Sequence, residues 1–104
     1  MDPEEHDRAI AWVSHMPQLL STVLADLSTD RDMSISGSGF RDMIRLAASP
    51  YSVWQGIVDS NADNIDLALR AYIDGLEKMR KRLLEGRLSE DFSRATLFSK
   101  NLQR

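Results

Sequence analysis

Six apolar residues, Ile65, Leu69, Tyr72, Leu76, Met79 and Leu83, follow one another at alternating steps of four and three. That spacing keeps one seam on one side of an α-helix, so the sequence predicts a long, regular helix over about 62–85. Gly86 directly behind it suits the left-handed residue that ends many helices. Leu67, Ala71, Ile73 and Leu84 lie off the seam. A helix apolar on several sides needs cover from several directions, and in a chain this short a second copy is the natural source. The pattern therefore favours an intertwined homodimer built on one long central helix, over a monomer in which the first and last helices wrap it.

The remaining chain is helical too. "DPEEHDRAIAWVSHMPQLLSTVLADL" opens with Asp2 as N-cap, Pro3 at the first helical position and Glu5 at capping-box spacing. Ile10, Val13, Met16, Leu20, Val23, Leu24 and Leu27 form the apolar stripe, widened by Trp12 and Leu19. Pro17 lies inside it and predicts a kink, because proline has no N–H and its ring collides with the preceding turn. Residues 28–39 read as a Ser- and Gly-rich loop, followed by a short helix at 39–48. Ser49-Pro50 restarts the chain as cap and first turn of a helix through Val53, Trp54, Ile57 and Val58. Ser60 or Asn61 caps the long helix, and Ser89 caps a last one through Phe92, Ala95, Leu97, Phe98 and Leu102. No segment alternates with period two, so the expectation is a single all-α domain over 1–104, with five to six helices and no sheet.

The chain has 104 residues, 42% hydrophobic and 28% charged, which fits one globular domain. With no cysteine there is no disulfide framework, thiol nucleophile or cysteine-based zinc site, and a reducing cytosol fits. A net charge of −3 argues against nucleic acid as partner. The basic run "KMRKR" at 78–82 sits late in a helix, where the helix dipole favours cations, and reads as a solvated face. The apolar runs are too short to span a membrane, and the acidic N-terminus carries no signal-peptide apolar region, so a cytoplasmic location is expected.

Candidates for chemistry are few. His6 and His15 stand nine apart, not at the i, i+3 or i+4 spacing of a helical metal pair. A lone histidine such as His15 is more often a core residue satisfied by one hydrogen bond than a catalyst. In "GFRDMIRLA", Arg41 and Arg45 share a face, and Asp42 can pair with Arg45. Either this is a surface ion pair, or Asp42 orients the planar Arg45 guanidinium toward a ligand carboxylate. No Gly-rich phosphate loop, nucleophile elbow or paired-carboxylate arrangement stands out. The residues by themselves describe a helical, dimeric domain with no self-sufficient catalytic apparatus.

Taken in order, His6-Asp7, Ser14-His15-Met16-Pro17, Gly39-Phe40-Arg41-Asp42, Arg45, Ser49, Trp54 and Asn61 carry a family resemblance. The chain resembles the C-terminal helical, dimerisation domain of prephenate and arogenate dehydrogenases, most specifically over residues 5–61. The resemblance implies an oxidoreductase of tyrosine biosynthesis that oxidatively decarboxylates prephenate or arogenate with NAD or NADP. It also implies an N-terminal Rossmann domain holding the cofactor and the catalytic histidine, and an all-α half that dimerises and closes over the substrate. Carried onto this sequence, Arg45 binds a substrate carboxylate with Asp42 as its ionic partner, His15 lines the pocket at the kink, and Trp54 packs beside it. His6 takes a structural role.

Two departures stand out. Gln18 replaces the second histidine of the family's S-H-L-P-H run, which is associated with reading the substrate side chain; its amide can accept from the ammonium of arogenate or donate to the keto acid of prephenate, with a slight lean to arogenate that leaves the choice open. Ile44 replaces a common Thr as a packing change. No G-x-G-x-x-G unit is present, so the chain is expected to be an excised C-terminal domain, inactive alone and binding no cofactor. Met1 directly before a well-capped helix start agrees with that. The alternative is a free-standing helical adaptor that binds a protein or small acid without chemistry. A third reading, the helical domain of another hydroxy-acid dehydrogenase, calls for a lysine-bearing active-site helix that the sequence lacks.

Overall fold

The computed structural model describes residues 1–103, which form two compact units, one of residues 1–69 and one from Arg70 onward. Six α-helices account for most of them, with no strand among the described residues. They are α1 (Pro3–Ile10), α2 (Met16–Leu27), α3 (Ser38–Ile44), α4 (Tyr51–Ser60), α5 (Ala62–Leu84) and α6 (Ser89–Leu102). The all-α expectation holds, and α5 covers nearly the whole span that the four-and-three spacing marks out. None of these helices is long and apolar enough to cross a membrane.

Local chemistry explains most of the boundaries. The Asp2 carboxylate accepts the Glu5 N–H at 2.8 Å, with Pro3 in the first turn. Gly86 adopts φ 70°, the left-handed region that disfavours a Cβ. Its N–H bonds the Leu83 carbonyl at 3.1 Å while Arg87 N–H reaches the Arg82 carbonyl at 2.8 Å, the paired bonds of a Schellman motif.

Other boundaries differ from expectation. Where the sequence predicts a kink at Pro17, the irregularity lies one turn earlier, as a π turn at Ala11–His15 that joins α1 to α2. The Met16 N–H reaches back five residues to the Ala11 carbonyl. A wide turn there absorbs the missing donor and bulky ring of Pro17 by setting one extra residue into the helix. The short helix predicted at 39–48 ends at Ile44 and tightens into a 3-10 turn, Arg45–Ala48. Ser49 does not cap the next helix: Pro50 occupies the cap position, and the Ser49 hydroxyl accepts the Trp54 indole N–H at 3.1 Å. Leu88, not Ser89, is the cap residue of α6.

In the first unit α2 packs against α3 and the 3-10 turn behind it. The buried side chains are Ala11, Met16, Ile65 and Ala68, together with the polar His15, Gln18, Ser21 and Asn61. As many polar as apolar groups at full burial is unusual for a domain interior. In the second unit no residue of α6 is buried, and Leu76, Met79, Leu83, Phe92 and Phe98 are exposed. Arg82 ties α5 to α6 through Asp91, at 2.8 Å. The basic run pairs along its own helix, Lys78 with Asp74 at 3.0 Å and Arg80 with Glu77 at 2.6 Å, as a solvated face does.

Candidate functional site

The first unit holds a cavity of about 380 Å³ lined by Asp7, Ile10, His15, Ile57, Ser60 and Asn61. The π turn is what brings His15 to it. In an uninterrupted α-helix His15 would stand roughly 80° around the axis from Asp7, and the extra residue of the wide turn takes out most of that angle. His15 is 4% exposed. Its ring meets Trp54 edge-on, with centroids 6.2 Å apart and planes at 86°. Trp54, half-buried, is steadied by its bond to Ser49.

Asn61 closes the other side. It sits in the break between α4 and α5, where its carbonyl accepts the Ile65 N–H at 3.0 Å, as a residue heading a helix does. Its side chain leaves the helix end and enters the interior. Nδ2 donates to the Asp7 carbonyl at 2.9 Å and lies 3.3 Å from His15 Nδ1, while Oδ1 accepts from Asn64 Nδ2 at 2.8 Å. Sequence reasoning marked Asn61 as a helix cap and as the end of the family motif. It had no means of pairing it with a histidine 46 residues away.

Gln18 is buried one turn beyond His15 on α2. Its Nε2 donates to the Leu46 carbonyl at 2.9 Å and more loosely to Thr22 Oγ1 at 3.5 Å. Gln18 thus grips the 3-10 turn whose first residue is Arg45. Asp42 and Arg45 do pair, Oδ1 to Nη2 at 3.0 Å, but with side chains 71% and 72% exposed. The structure therefore brings His15, Trp54 and Asn61 together and couples Gln18 to the Arg45 turn, while the Asp42–Arg45 pair stands at the surface. His6 is exposed as well, its Nδ1 3.7 Å from the Asp7 carboxylate. Among the described residues no cluster of His, Asp and Glu is placed to hold a metal ion.

Comparison with known proteins finds related sequences. The family described as "Prephenate dehydrogenase, dimerization domain" matches residues 2–96. The chain is 32% identical over 87 residues to a cyclohexadienyl dehydrogenase of Zymomonas mobilis, covering 77% of this chain and 30% of that protein. It is 29% identical over 86 residues to a prephenate dehydrogenase of Bacillus subtilis, covering 77% and 23%. A prephenate dehydrogenase of Lactococcus lactis is 30% identical over 69 residues, covering 61% and 20%. The chain thus spans less than a third of the length of these relatives.

Proposed function

Because the chain belongs to the prephenate dehydrogenase dimerisation-domain family, we propose that it is the dimer-forming, substrate-closing part of a prephenate or arogenate dehydrogenase of tyrosine biosynthesis. The observation that carries the substrate role is the buried polar set, His15, Gln18 and Asn61, with Gln18 bonded to the turn that presents Arg45. Buried paired polar groups contribute orientation more than stability, which suits an interior that faces a ligand.

In this reading Arg45, oriented by Asp42, receives a substrate carboxylate delivered from a neighbouring nucleotide-binding domain. A planar guanidinium with one side bonded to an aspartate keeps N–H groups free for a second, bidentate partner. Its exposure in a single copy suits a group that is covered only when the substrate and the other domain close over it. His15 and Trp54 form the wall of the pocket. Gln18 uses its N–H groups on Leu46 and Thr22, which leaves Oε1 as the end available to accept, and an acceptor there favours the ammonium of arogenate over a keto group. NAD or NADP belongs to the parent enzyme's Rossmann domain. The residues described here contain no strand, glycine loop and helix in succession to hold its pyrophosphate, so no chemical step is assigned to this chain.

The dimer is supported by apolar surface. Leu76, Met79 and Leu83 continue the α5 seam in the open, and Phe92, Leu97, Phe98 and Leu102 are exposed on α6. Apolar exposure on that scale marks an interface. Sedimentation at micromolar concentration is expected to give a dimer, and monomer alone overturns this part. In the full-length parent, Arg45→Ala is expected to raise KM tenfold or more, because a hydrogen bond to a charged group contributes about 1.5–3 kcal/mol. Unchanged kinetics would return Arg45 to a surface ion pair.

A further inference from the structure

We infer that Asn61 is a positioning residue: it holds His15 as the neutral tautomer with its proton on Nε2, so that the ring offers a hydrogen-bond donor to an oxygen acceptor on the ligand of the adjoining cavity. The assignment follows from the partners of one carboxamide. The Asp7 main-chain carbonyl can only accept, so the Asn61 atom 2.9 Å from it is the NH2 group. The opposite end of the amide is compatible with this, since Oδ1 lies 2.8 Å from Asn64 Nδ2, whose own amide can turn to suit it. Turning the amide over would set oxygen against the Asp7 carbonyl oxygen.

The second N–H of the same NH2 group therefore faces His15 Nδ1 at 3.3 Å, and Nδ1 accepts. An imidazole nitrogen that accepts carries no proton, which leaves the single proton of the neutral ring on Nε2. The constraint is firm because both groups are out of solvent, Asn61 at 8% and His15 at 4% exposure. Two N–H groups facing each other at that depth would lose a hydrogen bond and add repulsion.

The Nε2 donor has no protein partner among the described residues, although the ring lines the 380 Å³ cavity between Ile10 and Ile57. Ser21 Oγ is the sealed side-chain polar atom without a partner among the described residues, so Nε2 opens onto the cavity, where a carbonyl, carboxylate or hydroxyl oxygen of a substrate would take the place of water. That last step rests on the proposed substrate-facing role of His15; the tautomer does not.

The two are tested separately. In the 15N-labelled chain carrying His6→Gln, long-range 1H–15N correlation spectra report His15 alone. The expected pattern at neutral pH is a protonated Nε2 and a bare Nδ1. Asn61→Asp, which keeps the size but replaces the donor with an acceptor, is expected to move the proton to Nδ1. A proton on Nδ1 before that substitution overturns the assignment, and so does an Asn61→Asp spectrum with Nε2 still singly protonated. In the full-length parent, Asn61→Ala is expected to lower kcat/KM roughly three- to tenfold, the effect of one lost neutral hydrogen bond. An Nε2–H pattern with unchanged kcat/KM overturns the ligand-facing role and leaves the tautomer standing.

Discussion

Replacing Gln18 by methionine tests how the interior supports the surface. The substitution keeps a long unbranched side chain of similar volume, so the cavity and overpacking terms stay small. What it removes is the 2.9 Å bond to the Leu46 carbonyl and the 3.5 Å contact with Thr22. Neither partner is orphaned. The Leu46 carbonyl still accepts the Ser49 N–H at 3.1 Å, and the Thr22 hydroxyl still donates to the Gln18 main-chain carbonyl at 2.9 Å. The loss is therefore one ordinary hydrogen bond, about 1 kcal/mol, without the larger penalty of a stranded buried group. For a domain of this size that is a fall in Tm of roughly 4–8 °C. Urea denaturation followed by circular dichroism gives the free energy, at one fixed protein concentration because the stability of the proposed dimer would depend on it. In the parent enzyme KM should rise with Arg45 intact, since the substitution removes both the proposed substrate contact of Gln18 Oε1 and the tie between α2 and the turn carrying Arg45. A Gln18→Met chain as stable as the original would show that the bond contributes nothing. A loss above about 3 kcal/mol would show that the carbonyl has no second partner.

Gly86→Ala forces a Cβ into the left-handed region and is expected to lower stability by about 1 kcal/mol while leaving the helices intact; an unchanged urea midpoint would refute the Schellman assignment. The Arg82 hydrogen bond, with help from the Arg94 charge and against the effect of burial, holds the Asp91 carboxyl below the usual carboxylate range. A carboxyl depressed on folding stabilises at neutral pH and loses that contribution as pH falls through and below the usual range. Asp91→Asn should therefore flatten the acid limb of a Tm-against-pH profile, and superimposable acid limbs would refute it. Leu76→Glu combined with Leu83→Glu places charge on side chains 51% and 58% exposed in one copy and is expected to shift sedimentation to monomer. A dimer that survives both changes has its interface elsewhere.

Features carried by near neighbours in the chain were legible. The spacing of Ile65 to Leu83 located α5, Asp2-Pro3 located the start of α1, and Gly86 located the end of α5. The Asp42–Arg45 pair was equally readable, being a matter of helical geometry three residues apart. What a proline does to its helix was only half readable. The rules say that the turn before Pro17 must give way, not whether it bends or opens by one residue. Ser49 was misread because capping competes with any other donor in reach, and the Trp54 indole lies five residues on. The bonds from Gln18 to Leu46 and from Asn61 to Asp7 join residues 28 and 54 apart. No periodicity encodes such contacts.

The polar interior also bears on why the domain is built around long-range bonds. Replacing paired buried polar groups with apolar ones of like shape is often neutral or favourable for stability, so their presence calls for another reason. Here each bond fixes a chain segment at a point the helices alone leave open. Asn61 joins the start of α5 to α1 and to the π turn, and Gln18 joins α2 to the turn behind α3. The π turn sets the angle of His15, and Asn61 selects which of its nitrogens carries the proton. Packing a leucine at either position would fill the space and lose the orientation. Few apolar side chains are buried within one copy, and in the proposed dimer the exposed stripes of α5 and α6 supply further cohesion.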